Sequence, residues 1–458
     1  MVRTDGPRGN PMTRIALASM IGTVIEFYDF FVYGTAAALV FNKVFFPELG
    51  AARGTALAFA TFGVAFVARP LGAVVFGHFG DRIGRKRTLV TTLLIMGFAT
   101  VAIGLLPSAS SVGIAAPLAL VVLRVAQGVA VGGEWAGATL LTAENAPKAK
   151  RGKYALYPQL GPSVAFALSS ATFLGTALTM SNEAFVAWGW RLPFLGSLLL
   201  VALGLYVRLN LEETREFATA KAKNSVAKIP MFEVATRQPL QVLMAALTTT
   251  TVFAFFYIGV TYLTTYGTAV LHHPRTTVLA FGIFGGIAFA VTTILGAIAS
   301  DRFGRRRTVL VGNLASAAVG LAIFPILDLG TPLAFVVGLC VLLGVVGIAY
   351  GPVGALLPEL FAARYRYTGA GLAYNLAGVV GGAVTPLFAT QLVVAYGSTA
   401  LGGFLCGLAL LSTLCTLALR DTRDLDMADA PVGSGTGQPG TGASLSSPGG
   451  EFQDVGGA

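Results

Sequence analysis

Five ionisable side chains lie within long apolar runs of this sequence: Glu26, Asp29, Arg69, Arg124 and Glu134. An ionised group at bilayer depth costs several kcal/mol unless it is paired or hydrated, so residues of this kind are candidates for function. A carboxyl group can take up and release a proton, and a guanidinium group can hold an anion. These residue types in these surroundings therefore predict proton binding and anion binding inside a membrane.

The depth of each charged residue predicts its partner. Counting ~1.5 Å of rise per residue places Asp29 or Glu26 level with Arg124, and Glu134 level with Arg69. Glu26 and Asp29 are three positions apart, so they share one helix face and repel each other when both are ionised. We predict that one of the two carries a coupled proton while Arg124 alternates between that carboxylate and an anionic substrate. A fixed ion network that only joins two helices is the alternative, and for Glu134 and Arg69 the alternative is a plain salt bridge near the inner gate. The predicted proton-coupling residues are Glu26, Asp29, Arg124 and Glu134.

Other polar and aromatic side chains at similar depth are candidates for substrate contact. Trp135 is eleven positions from Arg124, which brings it close to the same helix face. A buried tyrosine can contact a substrate or can equally be satisfied by a neighbouring helix. The predicted substrate-binding residues are Tyr33, Arg69, Arg124, Gln127, Trp135, Tyr257, Tyr262, Tyr350, Tyr374 and Asn375.

The composition indicates which kind of secondary-structure element positions these side chains. Hydrophobic residues make up 55% of the 458 and charged residues only 11%, and mean hydropathy is +0.75. A soluble domain carries about a quarter charged residues. Twelve apolar runs are each long enough to cross a bilayer as a helix. We therefore predict an all-α integral membrane protein with twelve transmembrane helices.

A charged, glycine-containing segment occurs twice and divides the chain into halves. Asp81 and Arg85 recur 220 residues later as Asp301 and Arg305, again between two apolar runs. Internal repeats of this kind are typical of transporters. The predicted organisation is a cytoplasmic N-terminus (1–14), a six-helix bundle (15–207), a central cytoplasmic loop (208–240), a second six-helix bundle (241–420) and a disordered cytoplasmic tail (421–458).

The placement of basic residues predicts orientation. Most of the 31 Lys and Arg fall in alternate loops, so the positive-inside rule places both termini in the cytoplasm. The net charge of +10 then reflects membrane orientation rather than a nucleic-acid partner. The three cysteines lie within apolar runs without ligand spacing, so we expect neither a metal site nor a disulfide. No signal peptide is expected, because the first apolar run is too long for one.

The repeated segment carries a family resemblance. Residues 77–89 resemble the signature of the major facilitator superfamily, and the second copy matches except that Ala297 replaces the first glycine. The run from Arg124 to Gly128 is similar to a helix-four motif that is linked in that superfamily to proton coupling. Residues 144–152 and 359–369 are similar to its inner-gate loop motif. The gating residues implied by the resemblance and by the repeat are Gly77, Asp81, Arg82, Gly84, Arg85, Glu144, Arg151, Asp301, Arg302, Gly304, Arg305 and Glu359.

Residues 26–34, 69–72 and 132–135 resemble more narrowly the metabolite:proton symporter family, and the likeness covers residues 15–420. Its members import shikimate, 2-oxoglutarate, citrate, or proline and betaine. The resemblance implies two pseudo-symmetric six-helix bundles, a midplane cavity and rocker-switch alternating access. It implies no enzyme activity and no cofactor.

We therefore expect a monomeric, proton-coupled importer of a small metabolite in a bacterial inner membrane. The two arginines favour a carboxylate such as shikimate or a dicarboxylate, although zwitterions remain open. A proton-coupled exporter is the main alternative. Such antiporters carry paired glycines at the end of a Gly-Pro-rich helix five, and here Gly161 and Pro162 occur without that pair. A passive facilitator or a sensor would not need acidic residues at mid-depth in helix one.

Overall fold

The computed structural model describes residues 12–83, 85–146, 150–209, 234, 238–361 and 366–422. Over these residues the chain is helical between short loops, with no β-strand. Twelve helices are long and apolar enough to cross a membrane, as the sequence predicts. They are α1 (Ile15–Val44), α2 (Pro47–Phe76), α3 (Arg87–Leu105), α4 (Ala115–Leu140), α5 (Arg151–Thr179), α6 (Gly189–Leu209), α7 (Pro239–Val270), α8 (Arg275–Phe303), α9 (Arg305–Leu327), α10 (Pro332–Glu359), α11 (Arg366–Tyr396) and α12 (Ser398–Ala418).

The twelve helices form two pseudo-symmetric bundles, α1–α6 and α7–α12. The bundles meet chiefly where α5 packs along α8 and where α2 packs along α11. We call the end that carries Arg151 and Arg305 the arginine-rich end, and the other end, where α1, α5 and α7 finish, the opposite end. Large apolar side chains such as Phe98, Leu199 and Val394 point away from the bundles and are at least 74% exposed. These outward side chains are the surface that a bilayer would cover.

Helix α4 departs from the predicted continuous helix. Its regular helix runs Ala115–Val131, breaks at two glycines and resumes as Glu134–Asn145. The first of those glycines, Gly132, lies so close to α2 that a Cβ there would overlap a backbone carbonyl of α2. The break therefore occurs where two helices approach more closely than side chains allow.

Three helices that line the interface between the bundles contain π-helical turns. They occur at Ala37–Phe41 in α1, at Ile258–Tyr262 and Tyr266–Val270 in α7, and at Gly378–Val384 in α11. A π turn inserts a residue and rotates the helix beyond it, so the faces presented on the two sides of the turn differ. A count of residues along an ideal helix cannot reproduce the contacts beyond such a turn.

Candidate functional site

All five ionisable residues predicted from the apolar runs point into the protein. Arg124 is fully buried, Glu26, Asp29 and Arg69 are each 1% exposed, and Glu134 is 5% exposed. Asp29 lies at the midpoint of α1, whose span runs Ile15–Val44. All five side chains therefore lie inside the bundle and do not face the bilayer.

A chain of hydrogen bonds joins Arg124 to Asp29. The Arg124 guanidinium donates from Nη1 to Gln127 Oε1 at 2.8 Å, and Gln127 Nε2 donates to Thr100 Oγ1 at 2.6 Å. The Thr100 hydroxyl donates to Asp29 Oδ2 at 2.8 Å, with the Met96 carbonyl at 2.9 Å as the alternative acceptor for its single hydrogen. Every donor in the chain points toward Asp29, which suits an ionised carboxylate as the final acceptor. A change of charge at Asp29 therefore has a direct hydrogen-bonded path to Arg124.

Two carboxyl groups in the same region have oxygen atoms without hydrogen-bond partners. Within the described part of the chain, Oδ1 of Asp29 and both carboxyl oxygens of Glu26 are buried and accept no hydrogen bond. The cations whose charges act most on Glu26 are Arg69 and Arg208. A buried carboxylate without donors costs far more free energy than a buried protonated carboxyl does. These oxygens are therefore suited to hold a proton.

Aromatic rings surround the two buried arginines. The Arg124 guanidinium lies 3.8 Å from the ring centre of Tyr33 and 4.7 Å from that of Phe30. The Arg69 guanidinium lies 4.3 Å from the ring centre of Phe30 and 4.6 Å from that of Phe66. Cation–π contacts stabilise a guanidinium without neutralising its charge. Both arginines can therefore receive an anionic group.

The structure pairs Glu134 with Arg208, so the predicted pairing of Glu134 with Arg69 is wrong. Arg208 lies in the last turn of α6, is 8% exposed, and also donates to the Leu89 carbonyl of α3. The break in α4 directs Glu134 toward α6, while Arg69 packs against aromatic rings. Arg208 was expected in the central loop, but its side chain is a buried member of the first bundle.

Three of the predicted substrate-binding tyrosines of the second bundle face the first bundle around a small space in the middle of the protein. Tyr257, Tyr350 and Tyr374 line this space, which has about 10 Å³ available to the centre of a water molecule and so holds no more than about one water. Trp135 stacks on Tyr374 with ring centres 3.6 Å apart. Tyr350 and Tyr374 are joined through their hydroxyls at 3.3 Å. Apolar side chains complete the lining: Phe27, Pro162, Val252, Phe253, Phe256 and Phe289.

The break in α4 is bridged by the other bundle. The Gly132 carbonyl accepts from Asn375 Nδ2 at 2.9 Å, and the Gly133 carbonyl accepts from the Tyr367 hydroxyl at 2.6 Å. Tyr262, in contrast, lies toward the opposite end beside Tyr266, with ring centres 5.9 Å apart. The structure thus brings Asn375 to the interface near the space and leaves Tyr262 beyond it.

Charged residues from both bundles meet at the arginine-rich end. Glu359 of α10 is 3.2 Å from Arg151 Nη1 of α5 and 3.5 Å from Arg305 Nε of α9. Asp301 accepts from the backbone amides of Gly152 and Lys153, each at 3.1 Å. Acceptors at the start of α5 are favoured by the helix dipole. We call Arg151, Asp301, Arg305 and Glu359 the gate cluster.

Of the other predicted gating residues, the structure describes Gly304 and Arg302. Gly304 adopts φ +101°, a conformation that favours glycine, between Asp301 and Arg305. The Arg302 guanidinium lies 5.4 Å from the ring centre of Phe303. The remaining predicted gating residues belong to the first copy of the repeated segment, except for Glu144. Their side chains lie outside the described part of the structure: Gly77, Asp81, Arg82, Gly84, Arg85 and Glu144.

The bundles are also in contact at the opposite end. Arg275 at the start of α8 donates from Nη1 to Asn182 Oδ1 at 2.9 Å, and its guanidinium lies 3.7 Å from the ring centre of Phe185. Asn182 and Phe185 belong to a short helix, Asn182–Ala187, between α5 and α6. Thr265 of α7 donates to the Ala38 carbonyl of α1 at 3.1 Å. The structure therefore represents a conformation closed at both ends.

Sequence reasoning missed several residues of this site because they are uncharged or lie near a helix end. Thr100 is a single hydroxyl in an apolar run, and Gln159 links Trp135 Nε1 to the Tyr350 carbonyl through hydrogen bonds of 3.0 Å each. A search for polar side chains in apolar runs finds Thr100 and Gln159, although it cannot tell which partner each one meets.

Comparison with known proteins identifies relatives over nearly the whole chain. The sequence profile of the Major Facilitator Superfamily matches residues 19–386 and 286–436. The chain is 43% identical to the inner membrane metabolite transport protein YhjE of Escherichia coli, over 90% of this chain and 95% of that protein. It is 40% identical to the shikimate transporter of Escherichia coli, with the same coverage. In fold it resembles the xylose transporter XylE from E. coli in a partially occluded inward-open conformation, with a TM-score of 0.71 at 17% identity over 91% of this chain and 99% of that one.

Proposed function

This chain belongs to the major facilitator superfamily, and on that premise we propose that it is a proton-coupled symporter that imports a small carboxylate metabolite. The superfamily consists of transporters and not of enzymes. The observation that carries the proposal is the burial of Glu26, Asp29, Arg69 and Arg124 at mid-span, where no salt bridge among the described residues joins them. The relatives named as metabolite and shikimate transporters support the substrate class.

The proton site in this proposal is the α1 carboxyl pair. A proton on Asp29 Oδ1 removes a negative charge while the Thr100 hydroxyl keeps its hydrogen bond to Oδ2. When the proton leaves, the carboxylate strengthens its attraction for the chain of donors that ends at Arg124. Glu26 lies one turn away on the same helix face, so ionisation of one carboxyl disfavours ionisation of the other. The pair therefore carries one proton more readily than none.

The substrate site in this proposal is the guanidinium of Arg124 with its aromatic surroundings. While Asp29 is protonated, Arg124 has no carboxylate competing for it and can bind a substrate carboxylate in the two-point geometry that guanidinium groups favour. The rings of Tyr33 and Phe30 exclude water and strengthen that attraction. Proton binding thus favours substrate binding, which is the coupling that symport requires.

Transport further requires that the two ends open in turn. The gate cluster closes the arginine-rich end and the Arg275 contacts close the opposite end. We propose that the arginine-rich end is cytoplasmic, with both termini on that side of a bacterial inner membrane, and that the bundles bounded by 15–207 and 241–420 rock against each other as a monomer. The small polar metabolite and the proton are then the partners, and no cofactor is involved.

The proposal is tested by uptake into proteoliposomes under an imposed proton gradient. Radiolabelled shikimate and 2-oxoglutarate serve as substrates, and a pH-sensitive dye inside the vesicles reports proton entry. We expect gradient-driven accumulation of at least one of the two acids with protons entering alongside it. Asp29→Asn should abolish accumulation but keep exchange, and Arg124→Lys should raise KM about tenfold or more, because the two-point contact is lost.

Arg191→Lys is the matched control for Arg124→Lys, since Arg191 donates to backbone carbonyls of the first bundle near the opposite end and lies over the ring of the neighbouring Trp190, so its contacts are remote from the proposed substrate site. It should leave KM unchanged. Proton movement opposite to the substrate would overturn symport, and uptake of neither acid would overturn the substrate class.

A further inference from the structure

The C-terminal segment after α12 turns back onto the gate cluster. Helix α12 ends at Ala418, and the end of the helix is held by Arg306, whose Nε donates to the Thr416 carbonyl at 3.2 Å. The chain then continues so that Thr422 is only 1% exposed. A buried residue was not expected here, because residues from 421 onward were predicted to be a disordered tail. Residues 423–458 of that prediction lie outside the described part of the chain.

Thr422 makes a direct contact with the carboxylate that both bundles share. Its hydroxyl donates to Glu359 Oε2 at 2.6 Å, while Glu359 Oε1 faces Arg151 Nη1 at 3.2 Å. Arg305 Nε lies 3.5 Å from Oε2 but makes no hydrogen bond there. Among the described residues, Thr422 is therefore the hydrogen-bond donor that holds Oε2.

A second contact joins the same segment to the other part of the gate cluster. A Cβ added at Gly304 would overlap the carboxylate of Asp421, so this side chain lies against the turn that presents Asp301 and Arg305. Residues 421 and 422 thus contact both the Gly304 turn and Glu359. Two contacts of this kind give the segment a defined position on the gate cluster.

We propose that Thr422 is a gate-positioning residue: it holds Glu359 in the orientation that presents Oε1 to Arg151 across the two bundles. Glu359 belongs to the second bundle and Thr422 follows its last helix, whereas Arg151 belongs to the first bundle. Without the hydroxyl, the carboxylate turns toward Arg305 and the contact between the bundles weakens. The C-terminal segment thereby sets how firmly the arginine-rich end is closed.

The proposal rests on alternating access, and a thiol-labelling experiment tests it without any substrate. The full chain is prepared with Cys340, Cys406 and Cys415 replaced by serine and with one reporter, Ala136→Cys. Ala136 is 3% exposed and lies across the interface from Gly371, where a Cβ would be 3.2 Å from the Ala136 Cβ. The rate of labelling by N-ethylmaleimide then measures how often the arginine-rich end opens.

Thr422→Val should raise the labelling rate at Ala136→Cys about tenfold to hundredfold, the range expected for losing a hydrogen bond to a charged acceptor. Thr422→Ser, which keeps the hydroxyl, should stay within about twofold of the parent. A chain that ends after Thr422 should behave as the parent, whereas one that ends after Leu419 should behave as Thr422→Val. This matched pair separates the contact from the remainder of the C-terminal region.

A second reporter, Ser170→Cys, distinguishes gating from loss of fold. Ser170 is 2% exposed and faces Gly282 of the other bundle near the opposite end. Its labelling should stay constant or fall in Thr422→Val. An unchanged rate at Ala136→Cys, or an equal rise at both reporters, would overturn the proposal. Failure of substrate uptake alone would overturn the proposed function and leave this inference standing.

Discussion

Removal of the Thr100 hydroxyl should uncouple proton release from transport. Thr100 donates to Asp29 Oδ2 at 2.8 Å and accepts from Gln127 Nε2 at 2.6 Å, so Thr100→Val breaks the only hydrogen-bonded path described between Asp29 and Arg124. A hydrogen bond to a charged group contributes about 1.5–3 kcal/mol. Since about 1.4 kcal/mol is a factor of ten, the ionised form of Asp29 should become about 10- to 100-fold less populated.

The consequence separates two transport modes that share the same binding site. Proton-driven accumulation requires Asp29 to release its proton in every cycle, so its rate should fall about tenfold or more in Thr100→Val. Exchange of labelled for unlabelled substrate across vesicles without a gradient needs no proton release, so its rate should stay within about threefold. Both rates are measured in proteoliposomes with whichever of shikimate and 2-oxoglutarate the parent transports.

Two variants control for the shape of the side chain. Thr100→Ser keeps the hydroxyl and should restore accumulation. Thr92→Val removes a hydroxyl from the same helix about two turns away, where it donates only to the Leu89 carbonyl, and should have little effect. Equal accumulation by Thr100→Val and the parent would refute the reasoning, and so would an equal loss in Thr92→Val.

Two further variants test the closure of the opposite end and the crossing of α2 and α4. Arg275→Ala loses a hydrogen bond and a cation–π contact to the first bundle, which together contribute about 1–2 kcal/mol. The rate of thiol labelling at Ser170→Cys should therefore rise about tenfold. Arg191→Ala is the control, because the contacts of Arg191 stay within the first bundle, and it should leave that rate unchanged. Gly132→Ala should destabilise the protein by about 1–3 kcal/mol in thermal unfolding, because its Cβ would overlap a backbone carbonyl of α2. Gly175→Ala, with no atom within 4 Å of the added Cβ, should not destabilise it, and equal unfolding temperatures for the two would contradict the close crossing.

Local properties of the sequence were enough to predict the class of protein. Runs of about 20 apolar residues specify spanning helices whatever their neighbours are, because the backbone must satisfy its hydrogen bonds within the segment. The same reasoning marked Glu26, Asp29, Arg69 and Arg124 as interior residues, since a charge facing lipid would be too costly. The recurrence of Asp81 and Arg85 as Asp301 and Arg305 predicted two related halves, because a repeat is visible without knowledge of packing.

The partners of those residues could not be predicted in the same way. Residue counting measures depth along a helix axis, but a contact also depends on the rotation of the helix, which advances by about 100° per residue. The break at Gly132 and the π turns of α1, α7 and α11 change that rotation partway through a span. Glu134 consequently meets Arg208 instead of Arg69, although its depth was suitable for either.

Residues far apart in the chain complete the two most specific arrangements. Thr100 and Gln127, on α3 and α4, connect Asp29 to Arg124, and Thr422 reaches Glu359 from beyond the last helix. A single hydroxyl in an apolar run or in a polar tail carries no local signal of its partner. Composition and periodicity thus specify which segments cross the membrane and which charges must be inside, whereas the packing of twelve helices decides which carboxylate meets which donor.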